Sequence, residues 1–318
     1  MEQIIKQIKH FKKSLKDNSI KTYLVSLKKI SKCVGDHSKF PEDPSFLRDT
    51  GKVFDCIKNE PDTTRKNRLS AIVVYLKSFE DDKNLKLIDI YSKEMERTAG
   101  AYQKIIDKQE LTPKQKANII SMDEFKDVVN TIFDEIVKEK LYKKNELDNR
   151  EYNLLQSYVL LRFYLEYPLR NDVSNTKIIH SKKEDDKKMN YLLVRDKSIY
   201  FILNVYKTAK KYGTKVFNLD EKLSKLIRLL LKHNHSGFLF TKYNRRDSLT
   251  SNDVSKLFSR IFMKYTNKRI STSLLRHIRA SDMRKGDPTI KQEQEREKKI
   301  EDLFQHSGST NNEYRKIG

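Results

Sequence analysis

Residues that end helices are scarce in this chain, which has eight glycines and six prolines among 318 residues. Glycine and proline are the residues least compatible with a helix interior, so their scarcity favours long helices. Apolar residues recur at helical spacing in the first hundred residues, for example at Tyr23, Leu24, Leu27 and Ile30. A single hydrophobic core tends to stop growing near ~250 residues, so a chain of this length predicts two mainly helical domains.

Changes in composition give the domain boundaries. The segment 107–120 is polar, contains a proline and predicts a linker between a helical domain over 1–106 and a second domain over 121–318. Within the second domain, three short runs are rich in β-branched and aromatic residues; they are 191–196, 198–208 and 214–219. These runs predict a small three-stranded antiparallel sheet. The expected fold class is therefore mainly α with a small antiparallel β-sheet (α+β).

The charge balance indicates a polyanionic partner. Lys and Arg number 66 against 44 Asp and Glu, a formal net charge of +22, which suits neutralising a DNA backbone. No run approaches the ~18 apolar residues of a membrane span, and the first residues lack the pattern of a signal peptide. We therefore expect a soluble, intracellular protein without membrane contact. Cys33 and Cys56 are too few for a disulfide framework and are expected to be buried free thiols in a reducing compartment.

Three separated clusters carry residues suited to chemistry. They are LRNDVSN at 169–175, SLLRHIRASDM at 273–283 and LFQHSGSTNNEYRK at 303–316. Taken singly, each is more often a set of solvated arginines, a helix-capping histidine or an exposed tyrosine. Their order and spacing favour a shared functional site instead.

In these clusters the sequence resembles the catalytic domain of the tyrosine recombinases, the phage-integrase family. Arg170 matches the family's first arginine, at the end of a helix, and Arg276, followed by His277, matches the second. His306 matches the histidine of the last box, and Tyr314 matches the nucleophile. The resemblance covers about 120–318, and 1–105 is similar to the family's helical core-binding domain in a less specific way.

The resemblance also implies a catalytic lysine on a β-hairpin. Lys207 in the segment YKTAKKYGTKVFNL matches it, although Lys210 and Lys211 lie close enough in sequence to compete. The sequence departs from the family pattern at two positions: Ser273 stands where the family has a histidine, and Gln305 where it has a glycine. Because serine cannot act as a base near neutral pH, the histidine's role in proton transfer is in question at Ser273.

What the resemblance implies is DNA strand transfer without metal or cofactor. Arg170 and Arg276 would clamp the phosphate, Lys207 would protonate the leaving 5′-oxygen, and Tyr314 would form a 3′-phosphotyrosine. His306 would orient the phosphate or accept the tyrosine proton, with Ser273 beside it.

The implied partner is double-stranded DNA, bound by a homo-tetramer on paired recombination sites. We expect an integrase or resolvase of a virus or mobile element, working on DNA in the host cytoplasm or nucleus or packaged in a virion. A type IB topoisomerase and a catalytically weakened DNA-binding relative are the alternatives. Only four residues follow Tyr314, so coupling between protomers is expected to use another surface unless the chain is truncated.

Overall fold

The computed structural model describes residues 2–35, 40–41, 43–107, 111–284 and 290–304. The chain divides into two compact units, Met1–Lys108 and Gln109–Gly318, each with its own hydrophobic core. Among the described residues, no helix is both long and apolar enough to cross a membrane.

The described part of the first unit contains five α-helices around one core. They are α1 (Glu2–Phe11), α2 (Asp17–Val34), α3 (Thr50–Ile57), α4 (Asp62–Lys77) and α5 (Leu85–Asp107). Leu69, Ile72 and Leu76 recur at helical spacing on α4 and are fully buried, so this helix packs against its neighbours along an apolar stripe. The Tyr91 hydroxyl, buried on α5, donates a 2.7 Å hydrogen bond to the carbonyl of Leu47.

A disulfide in the first unit corrects one expectation. Cys33 on α2 and Cys56 on α3 are bonded, with their Cα atoms 6.0 Å apart. Cys33 is exposed and Cys56 is half-buried, so neither is the buried free thiol predicted from the sequence. The two cysteines lie at the ends of different helices, and this proximity depends on helix packing that cysteine spacing alone does not reveal.

The second unit contains the remaining helices of the described chain. They are α6 (Pro113–Lys116), α7 (Met122–Lys138), α8 (Asn149–Glu166), α9 (Ala209–Tyr212), α10 (Glu221–Lys232), α11 (Ser251–Thr266), α12 (Thr272–Met283) and α13 (Ile290–Phe304). Polar side chains cap the first turns of six of these helices, which are α6, α7, α8, α10, α11 and α12. Ser121 accepts a 3.0 Å hydrogen bond from the backbone N–H of Glu124, and the Glu124 carboxylate accepts a 2.7 Å bond from the Ser121 N–H. This reciprocal cap fixes the start of α7.

The sheet of the second unit is mixed, with four strands in the order β1 (Lys177–Ile179), β2 (Tyr191–Val194), β3 (Ile199–Leu203) and β4 (Lys215–Asn218). The three predicted strands are present, and β2–β3 and β3–β4 pair antiparallel. The expected purely antiparallel sheet is wrong in one respect, because β1 pairs parallel with β2. With three residues, β1 is too short to show an alternating pattern in the sequence.

Two connections of this sheet lie near the candidate site. Residues 180–190 join β1 to β2, and residues 204–214 join β3 to β4. One face of the sheet, with Leu192 and Phe201, packs into the main core with α8. The cluster on the other side includes Tyr191 and Leu193. Alternate residues of β2 thus face opposite sides, as expected for a strand.

Candidate active site

The turn after α8 holds Arg170. Pro168 follows the end of α8, where it cannot continue the helix, and Leu169 is buried. The hydroxyl of Tyr164, which is buried on α8, donates a hydrogen bond to the Arg170 carbonyl. Burial raises the pKa of Tyr164 well above its ordinary value, so the phenol stays protonated and remains a donor. The backbone of Arg170 is therefore tied to the core helix.

Asn171 connects the Arg170 turn to two further helices. Its side-chain amide nitrogen donates to the Ser251 carbonyl at 2.8 Å and to the Ser255 hydroxyl at 2.7 Å, both on α11. Its side-chain oxygen accepts a 2.7 Å hydrogen bond from the Thr272 hydroxyl at the start of α12. Asn171 thus fixes the Arg170 turn against the helix that carries Ser273 and Arg276.

Helix α12 presents Ser273 and Arg276 one turn apart, on the same face. Ser271 caps the helix by accepting a 3.2 Å hydrogen bond from the Leu274 N–H. Leu274 and Leu275 are buried and anchor the helix to the core, as their spacing predicts. Arg276 is only 1% exposed, whereas Ser273, at the end of the same face, is exposed.

These side chains meet in a cavity of about 680 Å³. Arg170, Ser273 and Arg276, which the sequence places in one site, all line it. Asp172 and Lys188 line the same cavity. Burial raises the pKa of the Asp172 carboxyl, and the guanidiniums of Arg170 and Arg276 oppose that shift. Three cationic residues and one carboxylate among the lining residues make the cavity suited to an anion with several oxygens.

Arg276 is also stacked on an aromatic ring. Its guanidinium carbon lies 5.4 Å from the centroid of the Phe304 ring, at the end of α13. Phe304 is buried and packs with Ala280 and Ile300 where α12 and α13 meet. A guanidinium over a ring face is held by cation–π attraction as well as by burial. Phe304 is two residues before His306 in sequence.

Lys207 occupies the 204–214 connection between the paired strands β3 and β4, and it is exposed. It is absent from the cavity lining, although Val205, two residues earlier, is part of it. Lys210 and Lys211 lie in the same connection on the short helix α9. The 204–214 connection thus reaches the cavity at Val205, and none of its three lysines is singled out as the catalytic one.

The remaining predicted residues, His306 and Tyr314, lie outside the residues that the structure describes. No cluster of three or more His, Cys, Asp or Glu side chains able to hold a metal occurs among the described residues.

Two residues of the site were not singled out from the sequence. Asn171 stands in the LRNDVSN cluster, but its partners on α11 and α12 are remote in sequence, so no local pattern indicates its role. Lys188 belongs to a mixed-charge run that reads as a solvated loop. Its position at the cavity depends on the parallel pairing of β1 with β2, which the sequence did not reveal.

Comparisons with known proteins give two similar solved structures. The crystal structure of XerA recombinase has 13% sequence identity and a TM-score of 0.39, covering 100% of this chain and 94% of that chain. The XerH site-specific recombinase bound to its difH substrate, a pre-cleavage complex, has 13% identity and a TM-score of 0.42, with 95% of each chain covered. No protein-family model and no curated protein matches the sequence. At these TM-scores neither likeness decides the function, which is inferred from the side chains of the cavity.

Proposed function

We propose that the protein is a site-specific DNA recombinase that cleaves and rejoins DNA through a 3′-phosphotyrosine intermediate. The observation that carries this proposal is the cavity lined jointly by Arg170, Ser273 and Arg276. Planar guanidinium groups bind phosphate oxygens in pairs, which an ammonium group cannot do with the same geometry. Two arginines from distant parts of the sequence, converging on one cavity, are suited to hold one phosphodiester.

The first step exchanges one phosphorus–oxygen bond for another. The Tyr314 hydroxyl oxygen attacks the scissile phosphorus, and the bond from phosphorus to the 5′-oxygen of the leaving strand breaks. The phenol proton passes to His306, and the 5′-oxygen takes a proton from Lys207. These three roles come from the sequence resemblance, and the cavity supports them by supplying a phosphate site of matching chemistry.

Negative charge grows on the nonbridging oxygens during this attack. Groups that already point at the position of the developing charge stabilise it without having to reorganise. Arg276 fits this requirement because it is 1% exposed and stacked on Phe304. The backbone of Arg170 is held by the hydrogen bond from Tyr164. Burial also lowers the local dielectric and strengthens each contact with the phosphate.

The second step reverses the first on a different strand. A free 5′-hydroxyl gives its proton to Lys207 and attacks the phosphotyrosine. The bond from phosphorus to the Tyr314 oxygen breaks, the DNA backbone bond re-forms, and His306 returns the proton to Tyr314. The phosphotyrosine ester conserves the bond energy, so neither a nucleotide cofactor nor a metal ion is needed for the balance.

We infer double-stranded DNA as the partner and a homo-tetramer on paired sites as the working assembly. Two duplexes, each cut once on each of its two strands, require four nucleophiles for complete exchange. The helical first unit would then serve as a core-binding, DNA-contacting domain, with 121–318 as the catalytic domain. A viral or other mobile-element origin and action on intracellular DNA belong to the same proposal.

A suicide DNA substrate tests this function directly. Such a substrate is nicked so that the cleaved end diffuses away, and a covalent protein–DNA adduct then accumulates on a denaturing gel. We expect an adduct with the native protein and none with Tyr314→Phe, which removes only the attacking oxygen and should bind DNA normally. An adduct of undiminished yield in Tyr314→Phe would refute the assigned nucleophile.

The same preparation separates the alternatives. A protein that binds DNA but forms no adduct would be a non-catalytic relative. Relaxation of supercoiled DNA without exchange between two sites would indicate a type IB topoisomerase. Recombinant products from two copies of the sequence recovered in the adduct would support the recombinase.

A further inference from the structure

The connection between β1 and β2, residues 180–190, is here called the lysine loop. Its four lysines are all exposed: Lys182, Lys183, Lys187 and Lys188. The hydrogen bond from the Tyr191 hydroxyl lowers the pKa of the Asp186 carboxyl, and Lys188 lies close enough to Asp186 for its charge to lower that pKa further. The loop also carries three acidic residues, so the availability of its positive charge depends on how those carboxylates are engaged.

The carboxylates of the lysine loop are satisfied mainly by the loop itself. Glu184 accepts hydrogen bonds from the backbone N–H groups of Ser181 at 2.7 Å and His180 at 3.1 Å. These bonds lower the pKa of Glu184, so the carboxylate stays ionised in this arrangement. Asp186 accepts a bond from the Tyr191 hydroxyl and a 2.9 Å bond from the Lys188 N–H. The acidic groups thus hold the loop backbone, and the lysine ammonium groups are left facing solvent.

Two buried asparagines anchor the end of the lysine loop to the candidate site. The side-chain oxygen of Asn190 accepts bonds from the N–H groups of Asn204 at 2.9 Å and Val205 at 2.7 Å. Its amide nitrogen donates to the carbonyls of Asp172 at 2.8 Å and Val205 at 3.0 Å. Asn190 therefore joins the lysine loop, the Arg170 turn and the 204–214 connection, and all its common hydrogen-bonding positions are used.

Asn204 adds a second set of contacts to the same loop. Its amide nitrogen donates to the Asp185 carboxylate at 2.8 Å and to the Met189 carbonyl at 2.9 Å. Its oxygen accepts a 2.8 Å bond from the Thr214 hydroxyl. Buried amides bonded in this way define one backbone arrangement, so the backbone of Lys188 is held beside the cavity while its exposed side chain can adjust to a ligand.

Lys188 and Met189 line the cavity that also contains Arg170 and Arg276. Asp172 is the one carboxylate residue on this lining. A phosphate held by both arginines would be followed along the strand by further phosphates, which need cations just beyond the arginines. The ammonium group of Lys188 is exposed and not buried against Asp186, so it can reach such a phosphate at little cost in desolvation.

We propose that Lys188 binds a backbone phosphate of the DNA strand that occupies the cavity, and that the lysine loop is a DNA-contacting element. This inference rests on the proposed function, because it takes the ligand of the cavity to be DNA. It adds a phosphate contact that is separate from Lys207 and is supplied by the β1–β2 connection.

The salt dependence of DNA binding tests the contact. A lysine that neutralises one phosphate releases counterions, and its loss reduces the slope of log affinity against log salt by about 0.9. We expect that reduction, with affinity lowered severalfold at low salt, for Lys188→Gln in the full chain. Lys188→Arg should restore the native slope. The matched control is Lys197→Gln, because Lys197 is exposed on the turn at the opposite end of the β2–β3 pair and does not line the cavity.

A neutral phosphate in the DNA locates the contact. The cleavage position is first mapped from the covalent adduct. Single methylphosphonates placed around that position then each remove the charge of one phosphate. At one position near that site, the methylphosphonate should lower the DNA affinity of the native protein. It should also abolish the difference in affinity between the native protein and Lys188→Gln. A difference that persists at every position would overturn the assignment.

The outcomes separate the two proposals. A native slope in Lys188→Gln, or an equal reduction in Lys197→Gln, would refute the Lys188 contact while leaving the recombinase intact if the adduct still forms. A reduced slope specific to Lys188→Gln in a protein that forms no adduct would refute the recombinase and keep the phosphate contact. Absence of DNA binding by the native protein would refute both.

Discussion

The arginines and the lysines of the candidate site are held in opposite ways. Arg276 is 1% exposed, on a helix anchored by buried leucines and beneath the Phe304 ring, and Arg170 follows directly from the core helix. Lys188 and Lys207 are exposed on connections between strands. The arginine side therefore has its geometry set before any ligand arrives, whereas the lysine side can adjust to one.

The difference in burial between the arginines and the lysines determines which of them can stabilise a transition state. A fixed guanidinium is complementary to one distribution of charge and gives its largest benefit when that charge develops. A mobile ammonium group binds ground state and transition state more evenly, unless proton transfer gives it a chemical role.

Arg276→Ala should produce the largest loss. Removing a preorganised donor to a developing oxyanion costs on the order of 10²–10³-fold in rate, and single-turnover cleavage of a suicide substrate should fall by that amount. DNA affinity should change much less. Arg276→Lys should recover only part of the rate, because an ammonium group lacks the planar pair of donors.

Arg279→Ala is the control on the same helix. Arg279 is half-buried, pairs with Asp282 at 3.4 Å and does not line the cavity. Its removal should leave the cleavage rate nearly unchanged, and thermal unfolding would show that both variants are folded. Equal losses of binding and cleavage in Arg276→Ala would make this arginine an ordinary phosphate contact and remove the distinction between the two sides.

Lys207→Ala tests whether a residue of the lysine side has a chemical role. General acid catalysis contributes at least about 10²-fold, so cleavage of normal DNA should slow by that order. A substrate with sulfur at the 5′-bridging position has a leaving group that needs little protonation, so it should restore the rate of Lys207→Ala. Rescue of Lys210→Ala or Lys211→Ala, with no rescue of Lys207→Ala, would show that the general acid is Lys210 or Lys211.

The sequence predicted the arginine side better than the lysine side, and the reason is periodicity. Leu274, Leu275 and Ile278 are buried on α12, as their spacing predicts, and this periodicity places Ser273 and Arg276 on one helix one turn apart. The burial of Arg276 itself depends on tertiary packing. A connection between strands has no such period. The place of the lysine loop beside the cavity depends on the parallel β1–β2 pair and on Asn190, neither of which leaves a local pattern.

The same reasoning explains the other differences between expectation and structure. The Cys33–Cys56 bond and the bridge made by Asn171 both join segments that are distant in sequence. Such contacts follow from tertiary packing, and no short segment of the sequence carries a pattern that indicates them.

Asn171→Ala should have an intermediate effect, because it loosens the arginine side without removing a charge. Loss of its bonds to α11 and α12 frees the Arg170 turn. Each such hydrogen bond of this half-buried amide is worth about 0.5–1.5 kcal/mol, so we expect cleavage to slow about tenfold. DNA affinity should be nearly unchanged. Single-turnover rates and binding isotherms measured on the same substrate would separate the two.

Thr272→Val provides the matched partner for a double-mutant cycle. It removes the hydroxyl that donates to Asn171 and keeps the shape of the side chain. If Asn171 acts by joining the Arg170 turn to α12, the double variant should be little slower than Asn171→Ala alone. Additive losses would show that the two side chains act independently and that this bridge does not position Arg170.

Ser273→Ala should have the smallest effect, although Ser273 occupies the position of a catalytic histidine in the resemblance. Ser273 is exposed and lies one turn from the buried Arg276, so it can offer the phosphate one neutral hydrogen bond but cannot take a proton near neutral pH. Losing that bond costs roughly 0.5–1.5 kcal/mol, or up to about tenfold in single-turnover cleavage rate. Ser273→His should cleave at least as fast as the native protein, provided the imidazole stays neutral beside Arg276. A loss of rate in Ser273→Ala as large as that in Arg276→Ala would mean that the exposed Ser273 hydroxyl has a catalytic role of its own. Catalytic stabilisation would then not be confined to the fixed arginines.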